Sequence, residues 1–203
     1  MPSRENVKNA LYQRLDKIKK EGSELDSITF AGNGEPTLHP DFSEIIDDTI
    51  VLRDRFCPQV KISVLSNATM LHKPAVMEAL SKVDNNILKL DSAIDKTLQL
   101  VNKPQNANIT VAKIVSFLKQ FDGDFILQTM FLRGTIDDEW IDNTTDEELN
   151  AWLTIVKKLN PKQIMIYSIA RETPCNSLQK VTQEELSVIA GKLIKEGVNV
   201  LVS

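Results

Sequence analysis

Residues 32–36 read Gly-Asn-Gly-Glu-Pro, one acid set among residues that leave the backbone open. Gly32 and Gly34 carry no Cβ, so a ligand can approach the main chain closely around Asn33. Pro36 disfavours helix at Glu35 and holds that residue extended. The run follows Ser27-Ile-Thr-Phe-Ala31, a short apolar stretch, so its carboxylate sits at the end of a predicted strand. Other polar residues also follow apolar runs: Ser66-Asn67, Asp91-Ser92, Arg133, and Arg171 after Ile169. Lys89 and Asp91 share one face of their strand by the two-residue period, and Gln128 is a polar residue inside an otherwise apolar strand. Carboxylates placed this way suit an ammonium or a sugar diol, and the cations suit a carboxylate. Each residue also has a local use. Glu35 can accept an N–H of its own turn, Lys89 and Asp91 can pair with each other, Gln128 can satisfy a carbonyl, and Arg171 can form a surface ion pair.

The elements that must position these groups alternate. A charged helix is predicted over 3–21, with Val7, Leu11, Leu15 and Ile18 as its apolar stripe, Ser3 as cap and Gly22 as stop. Strands are predicted at 27–31, 61–66, 86–90, 125–132, 163–169 and 198–202. Helices are predicted at 42–56 behind Asp41, 74–80 behind Pro74, 95–101, from Thr110, 145–159 and 182–197. Thr145-x-x-Glu148 and Thr182-x-x-Glu185 read as capping boxes. Residues 135–144 read as an acidic loop around a half-buried Trp140. This alternation is the pattern of βα units, and their ligands lie at the carboxyl ends of the strands. Residues 1–203 read as one domain, either a Rossmann-like open sheet or a partial βα barrel.

Composition narrows the classes. The 203 residues carry a formal net charge of -4, which argues against a surface that coats nucleic acid. No apolar run reaches the length of a membrane span and no signal region opens the chain, so a cytoplasmic protein without membrane contact is expected. Cys57 and Cys175 are the only cysteines, and neither lies in a ligand spacing with His39 or His72. A metal site within this chain is therefore not expected.

The stretch Phe30-Ala-Gly-Asn-Gly-Glu-Pro-Thr-Leu-His-Pro40 resembles the Gly-Gly-Glu-Pro motif of the radical S-adenosylmethionine (SAM) superfamily. Ser66-Asn-Ala-Thr-Met-Leu71 is similar to its Thr-Asn-Gly-x-Leu segment, and Lys89-Leu-Asp-Ser92 to its Ser-Leu-Asp-Ala ending. Val101-Asn-Lys-Pro104 resembles the Asn-Arg-Pro turn of a subgroup of Fe–S oxidoreductases related to tRNA wyosine-forming enzymes. The similarity runs from residue 27 to about 170. It implies an α/β partial (βα) barrel of TIM-like type, with parallel strands and outer helices. It also implies reductive cleavage of SAM at a 4Fe–4S cluster, with hydrogen abstraction from an unknown small-molecule substrate.

In the resemblance, Gly32, Asn33, Gly34 and Glu35 cup the methionine ammonium. Ser66, Asn67 and Gln128 meet the methionine carboxylate or ribose, and Asp91 and Ser92 the ribose. Lys89 and Arg171 are candidate substrate contacts, and flavodoxin or ferredoxin is the implied electron donor. Nucleic acid enters only by analogy with the tRNA enzymes. The sequence departs from the pattern in Asn33 and Ala68, which replace glycines, and in lacking the Cys-x-x-x-Cys-x-x-Cys of the cluster. The expectation is a barrel whose first strand and cluster loop are missing from this chain, inactive alone. The alternatives are a non-catalytic remnant that binds a SAM-like nucleoside or a partner protein, and a βα enzyme using Glu35 as general base.

Overall fold

A computed structural model describes residues 1–31, 34–106, 108–170 and 177–202, which form two compact units, Met1–Ile87 and Leu88–Ser203. The proposed contacts Gly32, Asn33 and Arg171, and with them Cys175, lie outside the described residues.

In the first unit, helix α1 (Arg4–Glu21) starts where Ser3 accepts the Asn6 N–H and ends at Gly22, whose φ of 64° is the left-handed value that glycine takes freely. Leu15 is its one buried residue. Strand β1 (Ser27–Phe30) leads through a one-turn 3-10 segment, Pro36–Leu38, to helix α2 (Phe42–Phe56), which buries Phe42, Ile45, Ile46, Thr49 and Leu52. Asp41 stands at the expected cap position, but its side chain makes no capping bond. Strand β2 (Lys61–Ser66) pairs in parallel with β1 in the register Ser27 to Lys61 and Phe30 to Val64. Helix α3 (Pro74–Ser81) follows. Two ion clusters fix this unit. Asp48 on α2 takes Arg4 at 2.7 Å and Lys8 at 3.1 Å from α1. Asp84 accepts the Ile62 N–H at 2.8 Å and Arg53 at 2.9 Å, pinning the start of β2.

The boundary falls within strand β3 (Asn85–Lys89). The second unit continues with α4 (Asp95–Asn102), α5 (Val111–Leu118), β4 (Ile126–Ile136), β5 (Glu139–Asp142), α6 (Asp146–Leu159), β6 (Gln163–Ser168), β7 (Leu178–Lys180), α7 (Gln183–Lys195) and β8 (Val200–Val202). Parallel ladders join β4 to β6 over Ile126–Phe131 and β6 to β8 over Ile164–Ile166. One face of these strands is sealed, with Leu127, Thr129, Ile164 and Ile166 fully buried.

β4 departs from expectation. It runs past Arg133-Gly134 to Ile136, and its second half pairs antiparallel with β5 on one side and β7 on the other. Asp137 and Asp138, with φ of 50° and 65°, make the two-residue turn between β4 and β5, as a tight hairpin requires. The expected acidic loop is thus largely two strands. Trp140 pairs with Thr135 on this hairpin and is 62% exposed, not half-buried. Among the described residues the eight strands therefore include antiparallel β5 and β7 beside the expected parallel ones. Thr182 and Glu185 form the full capping box. Thr145 makes only half of one: its oxygen accepts the Glu148 N–H, while the Glu148 carboxylate turns inward to Ser92. Among the described residues, no helix is long and apolar enough to cross a membrane.

Candidate functional site

At the carboxyl end of β1, Glu35 is extended (φ -87°, ψ 114°), as the following proline dictates, and it caps the 3-10 turn. One carboxylate oxygen accepts the Thr37 N–H at 3.1 Å and the Thr37 hydroxyl at 2.5 Å. The other accepts the Asn67 N–H at 2.6 Å, from the end of β2. The acid thus ties two adjacent strand ends together. Both the local use foreseen in the sequence and a longer link are realised. A carboxylate has about four lone-pair sites, and three donors are named here, so acceptor capacity remains. Glu35 is half-buried, with Gly34 exposed beside it.

The β2 end is a compact polar turn. The Ser66 hydroxyl accepts the Ala68 N–H at 3.1 Å, and Asn67 Oδ1 accepts the Thr69 N–H at 3.0 Å and the Thr69 hydroxyl at 2.6 Å. Ala68 holds φ 63°, the conformation for which a glycine is the easier residue. The Asn67 oxygen is thus engaged within the turn, and the residue as a whole is half-buried.

In the second unit the structure brings Lys89 and Asp91 together at 3.0 Å, the pairing that their shared face allows. The Asp91 side chain is 0% exposed and that of Lys89 25%. The second oxygen of Asp91 accepts the Met130 N–H at 2.8 Å. Burial pushes the Asp91 carboxyl up, against the pull of Lys89, the Met130 N–H and the Asn102 side chain. Burial alone would lower the Lys89 pKa. Attraction to Asp91 and hydrogen bonds to Asp91 and the Tyr167 oxygen outweigh it, so the ammonium titrates above an ordinary lysine. Ser92 is buried and donates to Glu148 at 2.7 Å. Asp91 and Ser92 therefore spend their side chains inside this unit, while Gln128 on β4 is half-buried.

Two residues of this cluster escape sequence reading. Asn143 donates to the carbonyls of Asp91 and Met130, both at 2.8 Å, and accepts the Leu132 N–H, so it ties the end of β3 to β4. Its distance in sequence from Asp91 left no local signal. Tyr167 could have been found by extending the two-residue period along β6, which places it on the face of Met165. Among the described residues, no group of three His, Cys, Asp or Glu side chains gathers as a metal site.

Comparison with known proteins places the fold. A radical SAM methyltransferase from Sphaerobacter thermophilus superposes with a TM-score of 0.70 at 14% identity, over 98% of this chain and 56% of that one. SuiB of Streptococcus suis bound to S-adenosylmethionine gives 0.67 at 13%, over 96% and 43%. The fold is that of radical SAM enzymes, a partial TIM-like barrel. In sequence, a GTPase Obg of Brachyspira hyodysenteriae is 28% identical over 91% of this chain and 27% of that protein. A UPF0026 protein of Synechocystis is 32% identical over 74% and 53%. An S-adenosylmethionine-dependent nucleotide dehydratase of Selenomonas ruminantium is 34% identical over 41% and 28%. The chain spans at most about half the length of these curated relatives. No protein-family model matches the chain.

Proposed function

We propose that this chain, built on the fold of radical SAM enzymes, is the SAM-holding part of such an enzyme, with Glu35 as the acceptor of the methionine ammonium. The observation that carries the reading is the fixed Glu35 carboxylate, held by Thr37 and Asn67 at the open ends of two parallel strands. A pre-oriented acid with acceptor capacity left suits an ammonium donor, and its hydrogen bonds would be charge-assisted. The Asn67 amide nitrogen, whose partner oxygen serves Thr69, is the proposed donor to the methionine carboxylate. Asp91 and Ser92 lose the ribose role in this reading, because their side chains serve Lys89, the Met130 N–H and Glu148.

The residues present do not fit a 4Fe–4S cluster. Cluster ligation takes three or four thiolates, and the sequence holds only Cys57 and Cys175. Cleavage of SAM, and with it the flavodoxin or ferredoxin that would supply the electron, is therefore assigned to a longer protein that brings its own cysteines. A GTPase reading has no support in these residues, which contain no Gly-x-x-x-x-Gly-Lys-Ser/Thr loop.

Isothermal titration of the 203-residue chain with SAM tests the proposal. Binding is expected, weakened roughly ten- to a hundredfold in Glu35→Gln, measured well below that variant's own melting temperature because its amide NH2 faces a donor from Thr37 or Asn67. Absence of binding by the folded chain, or equal affinity in Glu35→Gln, overturns it. Anaerobic reconstitution with iron and sulfide separates enzyme from remnant. The upstream-extended gene product should turn brown and yield 5′-deoxyadenosine under reductant, while a colourless one supports the remnant.

A further inference from the structure

Where α1 and α2 end, the first unit keeps an apolar groove of about 240 Å³, walled by Leu15, Ile18, Leu25, Phe56, Cys57 and Val60. Pockets that enclose a drug-sized molecule run from roughly 300 to 1,000 Å³, so this groove suits a single inserted side chain. The main-chain oxygens around it are already engaged. Ile18 O accepts the Ser23 N–H at 3.2 Å and Lys19 O the Gly22 N–H at 3.4 Å. Arg53 O accepts the Cys57 N–H at 2.7 Å, and Cys57 O the Val60 N–H at 2.9 Å. Val60 O takes the Arg53 guanidinium at 2.8 Å. With those acceptors occupied, the groove has little to hold a cation or a donor-rich ligand.

Its rim is positive. Lys19 is the one charged residue that lines it. The Lys19 ammonium stands 5.7 Å from the centre of the Phe56 ring, and the Arg55 guanidinium 5.2 Å from that ring and 5.6 Å from the Tyr12 ring. Tyr12 in turn meets Phe56 edge-on at 5.4 Å. A ring face holds a cation in place without neutralising it. Neither Lys19 nor Arg55 has a carboxylate partner among the described residues, whereas Lys17 and Lys20 on the same helix pair with Glu21 and Asp16. Glu24 and Asp26 alternate with the lining Ser23 and Leu25 and are not part of the wall. An apolar slot thus lies beside two held, uncompensated cations.

We propose that this groove is a docking site for an acidic segment of a partner protein, which inserts one large apolar side chain between the ends of α1 and α2 and sets flanking carboxylates on Lys19 and Arg55. Charge complementarity selects that occupant, since the rim presents cations and the carbonyls that would welcome a basic one are taken. The inference rests on the first unit alone and does not need the SAM reading.

The probe is the end-capped peptide Asp-Glu-Phe-Glu-Asp. Its controls are Asn-Gln-Phe-Gln-Asn, which keeps the anchor, and Asp-Glu-Ala-Glu-Asp, which keeps the acids. Cys57 reports occupancy. Burial pushes its thiol up, against the pull of Arg53, so iodoacetamide alkylates it slowly and an occupant slows it further. Mass spectrometry of the Cys57 fragment reads that rate apart from Cys175. The acidic phenylalanine peptide should protect Cys57 in a saturable way, and the neutral peptide should bind at least roughly fivefold more weakly. The double variant Lys19→Gln with Arg55→Gln changes two exposed side chains, and it should weaken binding roughly three- to tenfold and flatten its salt dependence. Equal protection by the neutral peptide, protection by the alanine peptide, an unchanged double variant, or no protection at all overturns the proposal. Alkylation that slows with rising protein concentration in the absence of peptide would give the groove to a second copy of this chain and overturn it too. Failure of SAM to bind leaves these rates untouched and strikes only the cofactor proposal.

Discussion

Glu35 shows how far a single residue can be read. Its turn, its extended backbone and its place after a strand were legible because glycine and proline constrain the backbone locally. Its bond to the Asn67 N–H was not, because that contact needs β1 and β2 in register, which pairs Phe30 with Val64. Ala68 makes a testable case at this scale. It is fully buried and left-handed at φ 63°. Ala68→Gly should stay within about 0.5 kcal/mol of the parent, since relief of roughly 1–2 kcal/mol of backbone strain offsets a lost methyl and added chain entropy. Ala68→Val should cost about 2 kcal/mol or more, because a β-branched residue at positive φ is a true outlier. Urea titration of the two variants checks both outcomes. Lys89 and Asp91 are readable as a facing pair, but the Asn143 bond to the Asp91 carbonyl is not, because that residue comes from far along the chain.

Among the elements, those that announce themselves by caps and periodicity stand where the sequence put them: α1 between Ser3 and Gly22, β2 over Lys61–Ser66, and α7 behind its capping box. β4 runs past its expected end at residue 132, through Gly134 to the Asp137-Asp138 turn. In the structure they are what lets the strand turn and accept neighbours. Gly134 has φ 137°, and a Cβ there would lie 2.3 Å from the Ser177 carbonyl oxygen on the approach to β7. Gly134→Ala should therefore detach β7, with faster amide exchange over Leu178–Lys180 and unchanged protection of the β4–β6 ladder. The α1–α2 contact predicts a pH effect. Hydrogen bonding to Arg4, and then Lys8, holds the Asp48 carboxyl below its ordinary value against the cost of burial. A depressed carboxylate adds stability above its unfolded pKa of about 3.9 and loses it as pH falls through the folded value. The gap in urea midpoint between the parent and Asp48→Asn should accordingly be widest near neutrality and close below about pH 3.

For the whole molecule, alternation of strands and helices is enough to foresee an α/β chain, the motif resemblance adds the partial barrel, and comparison with solved structures bears that barrel out. What alternation could not supply is the pair of antiparallel strands flanking β4, since short polar strands carry little pattern of their own. β1 has a consequence at this scale. Among the described residues it pairs only with β2, and none of its four residues is buried. In parallel sheets the outermost strand offers a row of unpaired N–H and C=O groups to any extended chain that meets it. Ile28 and Phe30 would give such an encounter an apolar grip. Held at high concentration, the purified 203 residues should behave as a colloid that sticks edge to edge, with light scattering rising faster than linearly with protein. A single Thr29→Lys change, which places a charge on that rim without touching the core, should restore the linear rise; if it does not, the stickiness lies elsewhere on the surface.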